Sequence, residues 1–174
     1  MITTEHSSGD DQGVIDRLLS AARDTRLRVK HCWVATVGEH GEPHARVVSP
    51  IPSASGDDEW TVWFLTSKAS RKTADIRRDS RVTIGYQDDQ HSAYAALAGR
   101  GWIVEDRAEL SRRWSSSWNA VFPTGADDLD AVFVKVVVER IELWNLAHKV
   151  TPAPFGKCAA VLQRSGAGPW ATAS

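Results

Sequence analysis

The chain has 174 residues, 42% of them hydrophobic and 25% charged, and its 21 Lys and Arg against 22 Asp and Glu leave a formal net charge of -1. This suits a single globular domain with a full core, and the balanced charge removes any global electrostatic case for nucleic acid or an anionic membrane as partner. No apolar run approaches the roughly 20 residues of a membrane-spanning helix, and residues 1–13 lack the apolar segment of a secretory signal, so a cytoplasmic location is expected.

Residues 1–10 read as disordered. Residues 11–27 carry Val14, Ile15, Leu18, Leu19 and Ala22 at helical spacing, an amphipathic helix with one apolar stripe. Residues 32–37 alternate as a strand. A turn over 38–43 leads to a second strand over 44–49, and the pair forms a hairpin. Pro50, Pro52 and the polar run 53–58 make a loop before an apolar strand over 60–65. A short helix is expected over about 70–78, a strand over 81–86 and a turn over 87–90. The long strand over 94–104 contains Gly99 and Gly101, which permit a bulge or bend. Residues 107–118 read as helical and 122–128 as a loop. Residues 131–144 are the longest strand signal, with Val132, Val134, Val136 and Val138 on one face. The extension 151–174 is rich in Pro and Gly and holds at most one short strand, 159–162. The fold expected over 11–150 is mainly β: a six- to seven-stranded antiparallel barrel, closed or split, with flanking helices. Nothing matches the strand, glycine loop and helix of a dinucleotide or P-loop site.

The chemistry concentrates at the end of the strand over 60–65. Phe64, Leu65, Thr66, Ser67 and Lys68 lead through Ser70 into Arg71 and Lys72. Hydroxyls, amides near a helix start and adjacent cations are what a phosphate monoester prefers. Arg46 lies on the preceding predicted strand between apolar neighbours, where a cation needs a partner. Arg46, Thr66, Arg71 and Lys72 are therefore expected to converge on a phosphorylated cofactor. The competing reading is a solvated helix start capped by Ser70. His40 and His44 flank the hairpin turn but lack a third ligand, so no metal is expected. His31 and His91 read as solvent-facing strand ends. Cys32 and Cys158 read as free thiols. The eight tryptophans suit core or interface positions, with one or two available to a planar ligand.

The order of these motifs resembles a known family. The runs Ala45-Arg46-Val47-Val48, Phe64-Leu65-Thr66-Ser67 with Ser70-Arg71-Lys72, Asp79-Ser80-Arg81-Val82-Thr83-Ile84 and Glu139-Arg140-Ile141-Glu142-Leu143-Trp144 resemble the FMN-binding split barrel of the pyridoxamine 5'-phosphate oxidase superfamily. Trp114, Trp118, Phe122-Pro123-Thr124-Gly125 and Asp127-Asp128 are similar to its general stress protein branch. The resemblance covers about residues 14–150 and implies a homodimer with FMN, or FAD, at the interface. It assigns Arg46, Val47 and Val48 to the flavin and phosphate side, Leu65, Thr66 and Ser67 to the ring and phosphate, and Arg71 and Lys72 to the phosphate. Tyr94 and Trp144 would come from the other protomer. The oxidases' substrate-gripping Arg-x-His is replaced by Asn145-Leu146-Ala147-His148-Lys149-Val150, a later flavin-binding Arg is missing near Pro154, and the insert before the late strand is absent. Pyridoxamine phosphate oxidase activity is therefore not expected. His148 and Lys149 read either as holders of an anion or as surface residues closing a strand. A flavin-dependent oxidoreductase acting on an unidentified small molecule is the leading expectation. A flavin-binding stress or sensor protein without turnover, and a split barrel holding haem or a deazaflavin, are the alternatives.

Overall fold

The computed structural model describes residues 7–150 and 157–173. Helix α1 spans Ser7–Arg28. It starts earlier than its apolar stripe, so residues 7–10, expected to be disordered, are helical. Residues 1–6 of that expected segment lie outside the described residues.

Strands β1 (Cys32–Val37) and β2 (Pro43–Val48) form the predicted hairpin. Residues 50–51, read as loop, form a two-residue strand, β3 (Pro50–Ile51), against β4 (Thr61–Ser67). Helix α2 (Arg71–Arg78) follows, then β5 (Arg81–Asp88) and β6 (Ala93–Val104). Helix α3 covers only Arg107–Arg113; a separate 3-10 turn over Ser116–Ala120 replaces the rest of the expected helix. Strand β7 runs over Ala131–Asn145, β8 over Ala160–Gln163 and β9 over Ala171–Ala173, the last a strand not foreseen. Pro154 lies outside the described residues.

The nine strands of the described residues join one antiparallel sheet in the order β2-β1-β5-β6-β7-β4-β3, with β8 on β7 and β9 on β8. The main path thus has seven strands, within the expected number, and the C-terminal extension adds two. Strand β7 is the spine. It pairs with β6 along its length on one side; on the other, residues 131–137 pair with β4 and 140–143 with β8. A bulge between Ala98 and Gly99 lets β6 bend against β7. Any side chain at Gly99 would overlap the Val137 carbonyl, so only glycine fits there.

The main core fills the barrel with Val34, Phe64, Ile84, Leu97, Val134 and Val136, covered on one side by Ile15, Leu18, Ala21 and Ala22 of α1. A second core on the outer face joins Trp63, Leu110, Phe122, Ala131 and Phe133. Residues 61–64 and 131–134 are buried on both faces, which explains their unbroken apolar runs. Cys32 is a buried free thiol and Cys158 an exposed one.

Candidate functional site

The first turn of α2 meets the end of β4 at a charged cluster. Lys72 donates to the Thr66 hydroxyl at 2.7 Å. Burial, and then repulsion from Arg46, hold the Lys72 ammonium below the usual lysine range. Arg46 has a partner of its own. Its guanidinium donates to the Thr36 hydroxyl at 2.6 Å and the His44 carbonyl at 2.7 Å, and pairs with the Asp75 carboxylate at 3.4 Å. Asp75 is buried and also receives His44 Nδ1 at 2.9 Å, the Thr36 hydroxyl at 2.8 Å and Arg78 at 3.1 Å. Burial alone would raise its pKa, but these hydrogen bonds outweigh burial and bring it down to about 2. Arg46 and Arg78 share one carboxylate and Lys72 lies close enough to Arg46 to be repelled by it, an excess of positive charge.

Beside it lies an open groove of about 940 Å³. Its floor is Val47 and Val48 of β2, Ser49, and Leu65, Thr66 and Ser67 of β4, with Lys72 at one side. Pro50 to Ala54 form one wall. The opposite wall is built from Arg112, Arg113, Trp118, Val121 and Phe122. The local reason is that Trp114, Trp118 and Phe122 stack edge-to-face, and Trp118 continues onto Phe133, which seats the 3-10 turn on the outside of β7. Asp128 and Asp130 also reach the rim, where Asp128 accepts from the Asp130 amide and the Thr124 hydroxyl and Asp130 from the Ala69 amide. Apolar floor, aromatic wall, short hydroxyls and a desolvated lysine fit a planar ring system carrying an anionic tail.

Six of the ten expected site residues line this groove: Val47, Val48, Leu65, Thr66, Ser67 and Lys72. Arg46 sits behind it, near Lys72 but engaged with Asp75. Arg71 is exposed and outside the lining. Tyr94 and Trp144 pack together elsewhere, ring centroids 5.9 Å apart, in an apolar hollow of about 290 Å³ shared with Trp33. Strand β2 is not hydrogen-bonded to β4; the chain links them through Ser49 and β3. Ser70 occupies the cap position of α2 without a side-chain cap bond. His44 engages Asp75 and Glu42, and the described residues hold no cluster of three metal-ligating side chains. His148 pairs with Asp24 at 2.9 Å, and Arg17 donates to the carbonyls of His148 and Lys149, so this segment closes onto α1 rather than onto the groove.

Asp75, Arg113, Trp118 and Phe122 were not anticipated as parts of this region. Asp75 had a signal: it lies three residues after Lys72, next to the buried Ile76 of an otherwise cationic helix.

The sequence profile of the family described as pyridoxamine 5'-phosphate oxidase like matches residues 20–165. No curated protein matches the sequence. Among solved structures, a Clostridium acetobutylicum protein related to general stress protein 26 is 20% identical, with a TM-score of 0.64 over 79% of this chain and 91% of that one. A general stress FMN/FAD binding protein from Xanthomonas citri is 22% identical, with a TM-score of 0.61 over 75% of this chain and 89% of that one. A pyridoxamine 5'-phosphate oxidase-related, FMN binding protein from Nostoc punctiforme is 14% identical, with a TM-score of 0.60 over 99% and 98%. The shared antiparallel split barrel agrees with the profile match, which spans most of the chain: the protein belongs to the pyridoxamine 5'-phosphate oxidase like family.

Proposed function

We propose that the protein is a homodimeric flavoprotein of the general stress type that binds FMN, or FAD by the same phosphate grip, in the groove between β2, β4 and the Trp118 wall. The observation that carries this reading is Lys72: a desolvated ammonium, held by Thr66 and next to Arg46, at the side of an apolar groove. Thr66, Ser67 and Lys72 hold the phosphate, with Arg46 adding charge from behind and Arg71 from solvent. Val47, Val48 and Leu65 take the ring face. Tyr94 and Trp144 of a second copy complete the site, which suits their place in an apolar hollow apart from the groove, beside half-exposed Trp33.

A bound flavin supplies hydride or electron transfer. The chain supplies binding, orientation and exclusion of water. Among the described residues the ionisable side chains lining the groove are Lys72, Arg112, Arg113, Asp128 and Asp130; none is a histidine or a cysteine. This favours cofactor-centred redox chemistry on a small molecule. Pyridoxamine phosphate oxidation is disfavoured, because residues 145–150 are committed to α1.

Purified protein is expected to carry flavin absorbance, lost in the double variant Arg46→Ala, Lys72→Ala. Protein that is colourless and takes up neither FMN nor FAD overturns the reading. Anaerobic reduction by NADH or NADPH, followed by timed reoxidation in air, separates an oxidoreductase from a passive flavin carrier.

A further inference from the structure

The acidic run Asp57-Asp58-Glu59, between β3 and β4, takes its counter-ions from three different parts of the chain. Asp57 receives both terminal nitrogens of Arg113 in α3, at 2.7 and 2.8 Å. Asp58 receives both terminal nitrogens of Arg164, just past β8, at 2.8 and 3.2 Å. Glu59 receives Arg23 of α1. The side chains of Arg113 and Arg164 are 3% and 4% exposed, so Asp57 and Asp58 make two pairs of nearly the same chemistry. They differ in where the arginine stands. Arg113 lines the groove described above; Arg164 does not.

Asp57 also holds the other wall of that groove. Its carboxylate accepts the Ala54 amide at 2.8 Å, and its own amide donates to the Ala54 carbonyl at 3.1 Å. Ala54 ends the wall that begins at Pro50. The root of that wall is fixed by the pairing of Pro50 and Ile51 with Phe64 and Trp63, and its tip is held through Asp57. Arg113 belongs to the opposite wall, where it stands over the Trp63 ring and also pairs with Glu109. Among the described residues no other side-chain hydrogen bond joins residues 50–57 to residues 107–122. Ala54, Asp57 and Arg113 thus form one hydrogen-bonded strap from wall to wall.

Taking the groove as the flavin site, we infer that Asp57 is a positioning residue for the cofactor. Its bonds to Arg113 hold the wall from Pro50 to Ala54 at a fixed distance from the wall of Arg113 and Trp118, so the groove is preformed for a planar ring. Asp57 is not itself part of the lining and acts through Arg113 and Ala54. The phosphate end does not pass through the strap: Lys72 and Thr66 are tied to each other across α2 and β4. With the strap cut, the two walls are set only as the ligand binds, and that ordering is taken out of the affinity.

The test is FMN affinity, read from fluorescence quenching on titration into the full-length protein after removal of bound flavin, with far-ultraviolet circular dichroism to show that each variant is folded. Asp57→Asn, which turns an amide N–H toward one Arg113 nitrogen, should bind FMN about five- to tenfold more weakly than wild type. Asp58→Asn makes the same chemical change one residue away, at an arginine outside the groove, and should stay within about twofold of wild type. A purely structural role would move both alike. Arg113→Lys keeps a cation over Trp63 but cannot make both bonds to Asp57; it should weaken FMN in the same way, and it replaces Asp57→Asn if that protein does not fold. A folded Asp57→Asn protein that binds FMN as tightly as wild type overturns the inference, as does an equal loss in Asp58→Asn. Wild type that takes up neither FMN nor FAD overturns the flavin reading of the groove, and the role of Asp57 falls with it.

Discussion

Lys72 and Thr66 are joined by a 2.7 Å hydrogen bond that ties the start of α2 to the end of β4. Replacing Lys72 with Met keeps the aliphatic stem and removes the charge. The expected result is FMN affinity about 10- to 100-fold weaker, the loss of a charge-assisted contact. Arg71→Met, at an exposed position outside the groove, should change it by less than about threefold. Quenching of flavin fluorescence on titration reads both.

Asp75 is the counter-ion that makes a cation at Arg46 tolerable. Asp75→Asn should destabilise the protein by about 2–4 kcal/mol, because it leaves Arg46 and Arg78 without their shared carboxylate. The pH dependence follows from the direction of the shift. The folded-state pKa is lowered from 3.8 to about 2, so the stabilisation is complete above about pH 4 and lost as pH falls through about 2. It amounts to about 2 kcal/mol. Urea unfolding at pH 7 and at pH 3 should show the gap between wild type and variant narrowing at the lower pH.

Gly99 and Gly101 lie two residues apart on β6 and should respond differently to alanine. A methyl at Gly99 runs into the Val137–Val138 backbone, which cannot move without breaking the β6–β7 ladder. A methyl at Gly101 meets Val82 Cγ2 at 2.8 Å, a side-chain atom that can shift. Gly99→Ala should cost about 3 kcal/mol or more and Gly101→Ala roughly half of that or less, as measured by chemical denaturation.

Arg113 stands 3.8 Å from the centroid of the Trp63 ring and holds Asp57 through two bonds of 2.7 and 2.8 Å. Glu109, its other partner, has its carboxyl lowered to about 2, mainly by Arg112, against burial and with help from Arg113. Arg113→Met strands Asp57 and should cost about 3–5 kcal/mol, with a changed near-ultraviolet signal from Trp63.

What the sequence made legible was local. Strand β1 was read at both ends because Cys32, Val34 and Thr36 alternate with less buried residues. The bulge in β6 was announced by Gly99. Helix α3 was read too long because residues 107–118 contain no breaker; the chain leaves the helix where Arg113 turns to Trp63 and Asp57, partners about fifty residues away. Strand β9 is three small residues whose strand character depends on pairing with β8. The same division holds for the site. The floor of the groove comes from two short runs, at 47–49 and 65–67, whose motifs stand out in the sequence, and all but Ser49 was found, whereas the Trp118 and Phe122 wall arrives by packing across β7 and was not. Arg46 was noticed as a cation in need of a partner, but Asp75 was hidden among the four cations of α2.

The sheet path begins with β2 and ends with β3, and only Ser49 separates them. The barrel is therefore closed at that point by a peptide corner instead of a ladder. Among the described residues strand β2 pairs only with β1 and β3 only with β4. In an antiparallel pair, alternate residues turn their amides and carbonyls away from the partner strand. Along this seam no strand of the described residues receives those groups. The seam also forms the floor and one wall of the groove, so a ligand there meets main-chain donors and acceptors that no side-chain substitution can remove.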